Sequence, residues 1–413
     1  MSQARFACLQ CTRTYDWLEL RYACDCGGLL EVKHNDPALR QLPDKAELRL
    51  TSRKPYDRSG VWRFREGVLP LPESMIVTQN EGQTTIYESA ALNQWAGHSN
   101  LTLKHEGENP TGSFKDRGMT AAVSMAKRLG MPVVACASTG NTSSSLAAYA
   151  ARAGLKAIVF LPAGKVSQGK MAQTLGYGAK GMAIRGDFDD AMQIVRDLAN
   201  AGRVYMVNSL NPHRIEGQKT IIWEMLQDRN WHAPDWIVVP GGNLGNTSAF
   251  GKAIDEAYEW GWITKKPRLA TIQAEGANPF FRSYTKDFSS LEALTAETIA
   301  TAIRIGYPVN FPRAVRSIIN TNGVVTDVTD TEIMAAKTAI DHAGIGCEPA
   351  SAATLAGVRK LVKKNIIGPE EDVVLVLTGH MLKDPDAILK VQTLDCTEVD
   401  ANVDAITKAL DRV

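Results

Sequence analysis

From about residue 75 onward, short β-branched runs alternate with longer amphipathic stretches, and few folds accommodate that order. The runs are Val133–Ala135, Ala157–Phe160, Ile237–Val239, Leu269–Gln273 and Val373–Leu377. Between them, Met119–Leu129, Ser143–Ala153, Phe188–Asn200, Ile215–Asp228 and Ala352–Lys364 space their apolar residues as helices do. Such alternation builds an open α/β sheet with helices packed on its faces. Ligand sites in such sheets form beyond the carboxyl ends of the strands.

Composition narrows the class of protein. A chain of 413 residues is long enough for two or three domains with sizeable cores. Lys plus Arg number 46 and Asp plus Glu 45, so the net charge of +1 leaves no footprint for nucleic acid or an anionic membrane. No apolar stretch approaches a membrane span, and the first residues carry no apolar signal region. A cytoplasmic protein is the expectation.

Five strings carry candidate chemistry, and each also has a plain structural reading. In Asn109-Pro110-Thr111-Gly112-Ser113-Phe114-Lys115-Asp116-Arg117-Gly118 a turn leads into a helix near Lys115, with Ser113 placed to cap it. A desolvated lysine there can act as an amine nucleophile; otherwise it is a surface lysine paired with Asp116. Ser138-Thr139-Gly140-Asn141-Thr142-Ser143 opens a helix after a strand, which makes either an anion site or a capped helix start. Pro240-Gly241-Gly242-Asn243-Leu244-Gly245-Asn246-Thr247 can wrap a phosphate or merely turn the chain. It lacks both the Gly-x-Gly-x-x-Gly and the Gly-Lys-Ser/Thr spacing. Asn208 to Thr220 places Arg214 beside Asn208 and Ser209, a second phosphate site or a surface arginine near a cap. Thr378 follows the run Val373–Leu377, where a hydroxyl can meet a ring nitrogen or simply satisfy a turn.

Together these strings resemble the tryptophan-synthase-β-like, fold type II pyridoxal phosphate enzymes, and among them the threonine synthases; the resemblance runs to near residue 390. It implies two open α/β sheet domains behind a small N-terminal cysteine-rich module. Lys115 would be the Schiff-base lysine and acid–base group, with Phe114 beside the cofactor. Asn141 would face the cofactor's phenolic oxygen, Gly242, Asn243, Leu244, Gly245 and Asn246 would grip its phosphate, and Thr378 would meet its ring nitrogen. Ser138, Thr139, Asn141 and Thr142 would hold a substrate carboxylate. Asn208, Ser209 and Arg214 would hold a substrate phosphate, with His213 structural. The implied reaction turns O-phospho-L-homoserine and water into L-threonine and phosphate in a homodimer. A cysteate synthase-like reaction on phosphoserine and a threonine or serine dehydratase are the competing readings. Thr84-Thr85 departs from the family's more frequent Thr-Pro.

The N-terminal residues stand apart. Cys8-x-x-Cys11 and Cys24-x-Cys26-Gly27-Gly28 crowd four of the seven cysteines into a short module. Structural zinc, thiols left from a lost site and a redox role are all open; the single-residue spacing departs from a zinc ribbon. Cys136, Cys347 and Cys396 read as small core residues. The expected division is 1–35 for the cysteine module, 36–100 for the first part of the large domain, 101–205 for the smaller α/β domain and 206–413 for the rest of the large one. Residues 33–70 read as a connecting wrap.

Overall fold

The computed structural model describes residues 4–164, 168–389 and 398–411. Cys396 lies outside them. Three sheets organise the chain. The first is antiparallel, with β1 (Ala4–Cys8) between β2 (Thr14–Tyr15) and β3 (Leu30–His34). The largest takes β4 (Ile86–Glu88), β5 (Leu101–His105), β10 (Trp236–Pro240), β11 (Arg268–Ala274), β12 (Val324–Val328) and β13 (Val373–Leu377). Their order is β12-β11-β10-β13-β5-β4. All pairs in it are parallel except β4 with β5. The third sheet is parallel throughout, ordered β8-β7-β6-β9 from β6 (Val133–Ala137), β7 (Lys156–Pro162), β8 (Lys180–Ile184) and β9 (Tyr205–Met206).

The central strands β10 and β13 are buried at every residue, as continuous apolar runs covered on both faces must be. The helix Phe188–Asn200 begins where Asp187 and Asp190 form a capping box.

Four expectations change. The boundary near residue 100 falls before a strand of the large sheet: β5, placed by the sequence in the smaller domain, pairs with β13 and β4. Residues 33–70 are not plain connection. They hold the helices Leu42–Leu50, Pro55–Arg58 and Arg65–Val68, and they bury Trp62 and Phe64. The stretch Ile215–Asp228 divides into Pro212–Gln218 and Thr220–Asp228, because the Thr220 hydroxyl takes the Gly217 carbonyl at 2.6 Å. Ser113 does not cap the Lys115–Arg128 helix. Phe114 holds the cap position, and Ser113 instead bridges to Gly379 through its backbone.

A buried ion network ties these parts together. Arg117 donates to Glu106 at 2.6 and 2.7 Å and to Glu224 at 2.8 and 3.3 Å. Lys104 donates to Glu224 and Asp228, both at 2.8 Å, and Arg63 donates to Glu224 at 3.0 Å. Burial works to raise the Glu224 carboxyl, but the Arg117, Lys104 and Arg63 cations overrule it and hold it far below the usual range. Removing one member of such a network strands the others without compensation. Glu224→Gln is expected to cost about 3–5 kcal/mol of stability, read as a lower urea unfolding midpoint. A midpoint equal to the parent's would show that these groups do not fasten the fold.

Candidate active site

The carboxyl ends of β6, β10 and β13 lead into the three polar turns singled out by the sequence. Lys115 begins the Lys115–Arg128 helix, and its amine lies 4.2 Å from the centre of the Phe114 ring. This turn is stitched to the one after β13. Phe114 donates its N–H to the Thr378 carbonyl at 3.0 Å, and His380 donates to the Gly112 carbonyl at 2.9 Å. Asp116 does not pair with Lys115. It turns inward and accepts from the Thr111 N–H and hydroxyl and from the Ser145 hydroxyl. Burial pushes it up to about 6.

Burial and the nearby Arg214 cation bring the Lys115 amine down to about 7, against a weaker pull from Glu348. Near neutral pH a large share of this lysine is therefore a free amine. Its neighbour Arg214 is brought close by a glycine contact between helices. A Cβ on Gly217 would strike the Arg117 carbonyl, and one on Gly118 would approach the Arg214 carbonyl within 3.1 Å. Arg214 is buried, and Nη1 donates to the Val207 carbonyl at 2.9 Å while Nε has no partner. No carboxylate pairs with it among the described residues. Burial lowers it to about 10. A buried guanidinium without a counter-charge is costly, and an anionic ligand would offset that cost.

Around this pair lie the other turns. The helix Asn141–Ala153 starts at Gly140 with no side-chain cap, and Ser138, Thr139, Asn141 and Thr142 are all partly exposed there. The helix Gly245–Glu259 likewise has no side-chain cap; its first turn follows Leu244, a non-glycine residue at φ +60°. Such a residue costs about 1 kcal/mol or more and collects at functional turns. A Cβ on Gly242 would meet Ile303 at 3.0 Å, and the buried Asn246 Oδ1 has no partner. Asn243 and Gly245 are partly exposed. Asn208 spends its side-chain amide on Ala137, accepting from its N–H at 3.1 Å and donating to its carbonyl at 3.0 Å. Ser209 is partly exposed, and its carbonyl accepts from Asn310 Nδ2 at 3.3 Å.

Sequence reasoning missed three groups here. Glu348 accepts from Asn141 Nδ2 at 3.0 and 3.3 Å, and burial raises its carboxyl. Asn310 joins Ser209 to the Asn243 carbonyl, which it reaches at 3.1 Å. Ser351 Oγ accepts the N–H groups of Thr378 and Gly379 at 2.8 and 3.0 Å and lies 3.1 Å from Thr378 Oγ1. Those two amides fill its lone pairs, so its own proton goes to the nearer acceptor, Thr378 Oγ1 at 3.1 Å, over the Gly379 carbonyl at 3.5 Å. The Thr378 proton is then free to donate to a neutral acceptor. Only Glu348-Pro349 left a local signal, a helix start with proline in its first turn.

The set suits a ligand carrying an aldehyde, a phosphate and a weakly basic ring nitrogen. Lys115 supplies the amine, the Leu244 turn the uncapped helix start, and Thr378 the donor.

Comparison with known proteins agrees. The pyridoxal-phosphate dependent enzyme family matches residues 77–379. Threonine synthase of Methanocaldococcus jannaschii is 47% identical over 388 residues, 93% of this chain and 94% of that protein. Threonine synthase of Methanosarcina acetivorans is 45% identical over 409 residues, 98% of each chain. Among solved structures, threonine synthase from Escherichia coli superposes with a TM-score of 0.71 at 16% identity, covering 99% of both chains. Processed threonine deaminase isoform 2 from Solanum lycopersicum gives 0.65 at 18% identity, over 85% of this chain and 94% of that one, so these two bear on the fold. The chain belongs to the pyridoxal-phosphate dependent enzymes and, among them, to the threonine synthases.

Proposed function

We propose that the chain makes L-threonine and inorganic phosphate from O-phospho-L-homoserine and water, with Lys115 as its acid–base group and Arg214 as the holder of the leaving phosphate. The observation that carries this reading is the buried Arg214 guanidinium, close to Lys115 and without a carboxylate partner among the described residues.

Pyridoxal phosphate, when bound, supplies an electron sink for the charge left on carbon as protons depart. Lys115 would hold it covalently through its amine. The uncapped start of the Gly245–Glu259 helix, with Gly242, Asn243, Leu244, Gly245 and Asn246, receives the cofactor phosphate. Thr378 would offer a neutral hydroxyl donor to the cofactor ring, and Asn141, oriented by Glu348, would offer it a side-chain amide. Ser138, Thr139, Asn141 and Thr142 hold the substrate carboxylate at a helix start.

Lys115 then takes the proton from Cα, and a second proton leaves Cβ. The Cγ–O bond breaks, and Arg214 and Ser209 stabilise the charge growing on the departing phosphate. Cγ takes up a proton in place of the phosphate, water's oxygen bonds Cβ while its spare proton goes to the released phosphate, and Cα regains its proton. Asn208, committed to Ala137, is a positioning residue for this segment. The reading includes a cytoplasmic homodimer. Its support is the free state of the described cysteines, which suits a reducing compartment, and the family resemblance for the dimer.

Three measurements check it. Lys115→Ala should lose the visible band of lysine-bound cofactor and lower turnover by on the order of 10⁴-fold; a persisting band would reject this lysine. Arg214→Met should keep that band while kcat/KM for phosphohomoserine falls by roughly 10²–10³-fold. Loss of the band instead would move Arg214 to the cofactor phosphate. Finally, capture of pyridoxal phosphate by the apoenzyme should quicken as pH rises through about 7, the value set for Lys115 by burial and Arg214. A rise only near the pH of an ordinary lysine would contradict that environment.

A further inference from the structure

We propose that Cys8, Cys11, Cys24 and Cys26 bind one zinc ion, and that this ion holds the N-terminal module as a brace for the Asn208–Arg214 segment. The four sulfurs lie within 4.8 Å of one another. Cys8 and Cys26 are 3.5 Å apart, Cys11 and Cys24 3.6 Å, and Cys11 and Cys26 3.5 Å. A zinc tetrahedron with Zn–S of about 2.3 Å has edges of about 3.8 Å, so the thiols already outline one. Their backbone setting is equally particular. The Gln10 N–H donates to Cys8 Sγ at 3.3 Å, a backbone amide of the kind that supports a metal-bound thiolate. A Cβ on Gly28 would lie 2.7 Å from Cys8 Sγ, so glycine is needed for the approach. Cys24-x-Cys26 therefore serves despite its short spacing. On binding, the thiol protons leave to solvent.

The second half of the proposal follows the module's contacts. The Tyr22 hydroxyl accepts the Met206 N–H at 2.8 Å, just ahead of Asn208. His213 is kept neutral by burial, which brings it down to about 4. Its Nε2 lies 3.3 Å from the Trp17 carbonyl and must donate there, so Nδ1 accepts from Tyr205 at 2.8 Å. The Phe6 ring lies 5.1 Å from that of His213. A separate path starts at Leu30. Arg313 donates to the Leu30 carbonyl and, at 2.5 Å, to Asn310 Oδ1, while Asn310 Nδ2 holds the carbonyls of Ser209 and Asn243. The module thus grips both ends of the proposed phosphate segment. His34, Glu216 and Glu256 also cluster, but the Lys219 and Lys252 ammonium groups fill that space and leave no room for a metal.

The positioning role rests on the function proposed above; the metal does not. Holoenzyme purified without chelator should contain one zinc per chain by elemental mass spectrometry. Cobalt substitution should give the thiolate charge-transfer and tetrahedral bands. Releasing the metal with a mercurial and a colorimetric chelator should weaken inorganic phosphate binding and raise the KM for phosphohomoserine, each by roughly tenfold, about one well-placed hydrogen bond. The band of lysine-bound cofactor should persist, and re-added zinc should restore both values. Cys11→Ser should lose the metal with the same shifts. Two disulfides by intact mass, metal-free thiols in the fresh protein, or iron in place of zinc would each overturn the metal assignment. Zinc that can be removed with no change in phosphate affinity would overturn the brace. Phosphate affinity is measured without turnover, so a different natural substrate would leave this test standing.

Discussion

The carboxylate of Glu224 is the point on which the structure hangs. It receives Arg63 from the N-terminal helices, Lys104 from β5 and Arg117 from the Lys115–Arg128 helix. It also accepts the N–H groups of Gln83 and Thr84. Elements far apart in the chain thereby meet at one buried charge, and Arg117 stands two residues beyond Lys115. The first turn of that helix cannot shift without breaking a pair in a region where water cannot replace it. A lysine meant to meet a small molecule at fixed geometry needs such a footing.

The same interior treats its cations in two ways. Arg117, Lys104 and Arg63 are matched by Glu106, Glu224 and Asp228. Arg214 has a carbonyl and, among the described residues, no carboxylate. The contrast separates groups that hold the fold from one left available to a ligand. Glu348, its carboxyl raised by burial, is engaged by Asn141. Burial first, and then the Arg214 cation, keep the Lys115 amine partly unprotonated.

Local signals made the elements legible, and nonlocal contacts made the site. The Phe188–Asn200 helix could be read to the residue from its apolar spacing, and the structure starts it there with a capping box of Asp187 and Asp190. The Asn141 and Pro349 helices begin earlier than their apolar spacing suggests, because their first turns are polar or carry proline. Residues 33–70 gave no clear period, since their helices are too short to show one. Glu348 and Asn141 are 207 residues apart and meet only once the start of the Pro349–Lys363 helix, tied to the Gly379 carbonyl by the Glu348 N–H, lies beside the turn after β6. Ser351 looks like any helix serine until Thr378 returns to it from the next strand. Asn310 lies outside every string that carried chemistry, and its role comes from the two carbonyls it joins. Asn208 was visible as a polar residue near Arg214, but no sequence pattern shows that its amide is spent on Ala137.

Because Arg214 is buried without a counter-charge among the described residues, an anion bound beside it and the folded chain would stabilise one another. The folded state loses hydration around that guanidinium, and the unfolded chain does not. A phosphate group at the site returns part of the loss only to the folded form, so binding raises stability by linkage. On the proposed function the Leu244 turn follows the same logic, with a left-handed residue before helix-start amides that a phosphate would satisfy. Glu224 stands at the opposite limit, since every charge it meets comes from the chain itself. The fold therefore rests on ion pairs completed internally, and the site is the part whose pairing is left for the ligand to complete.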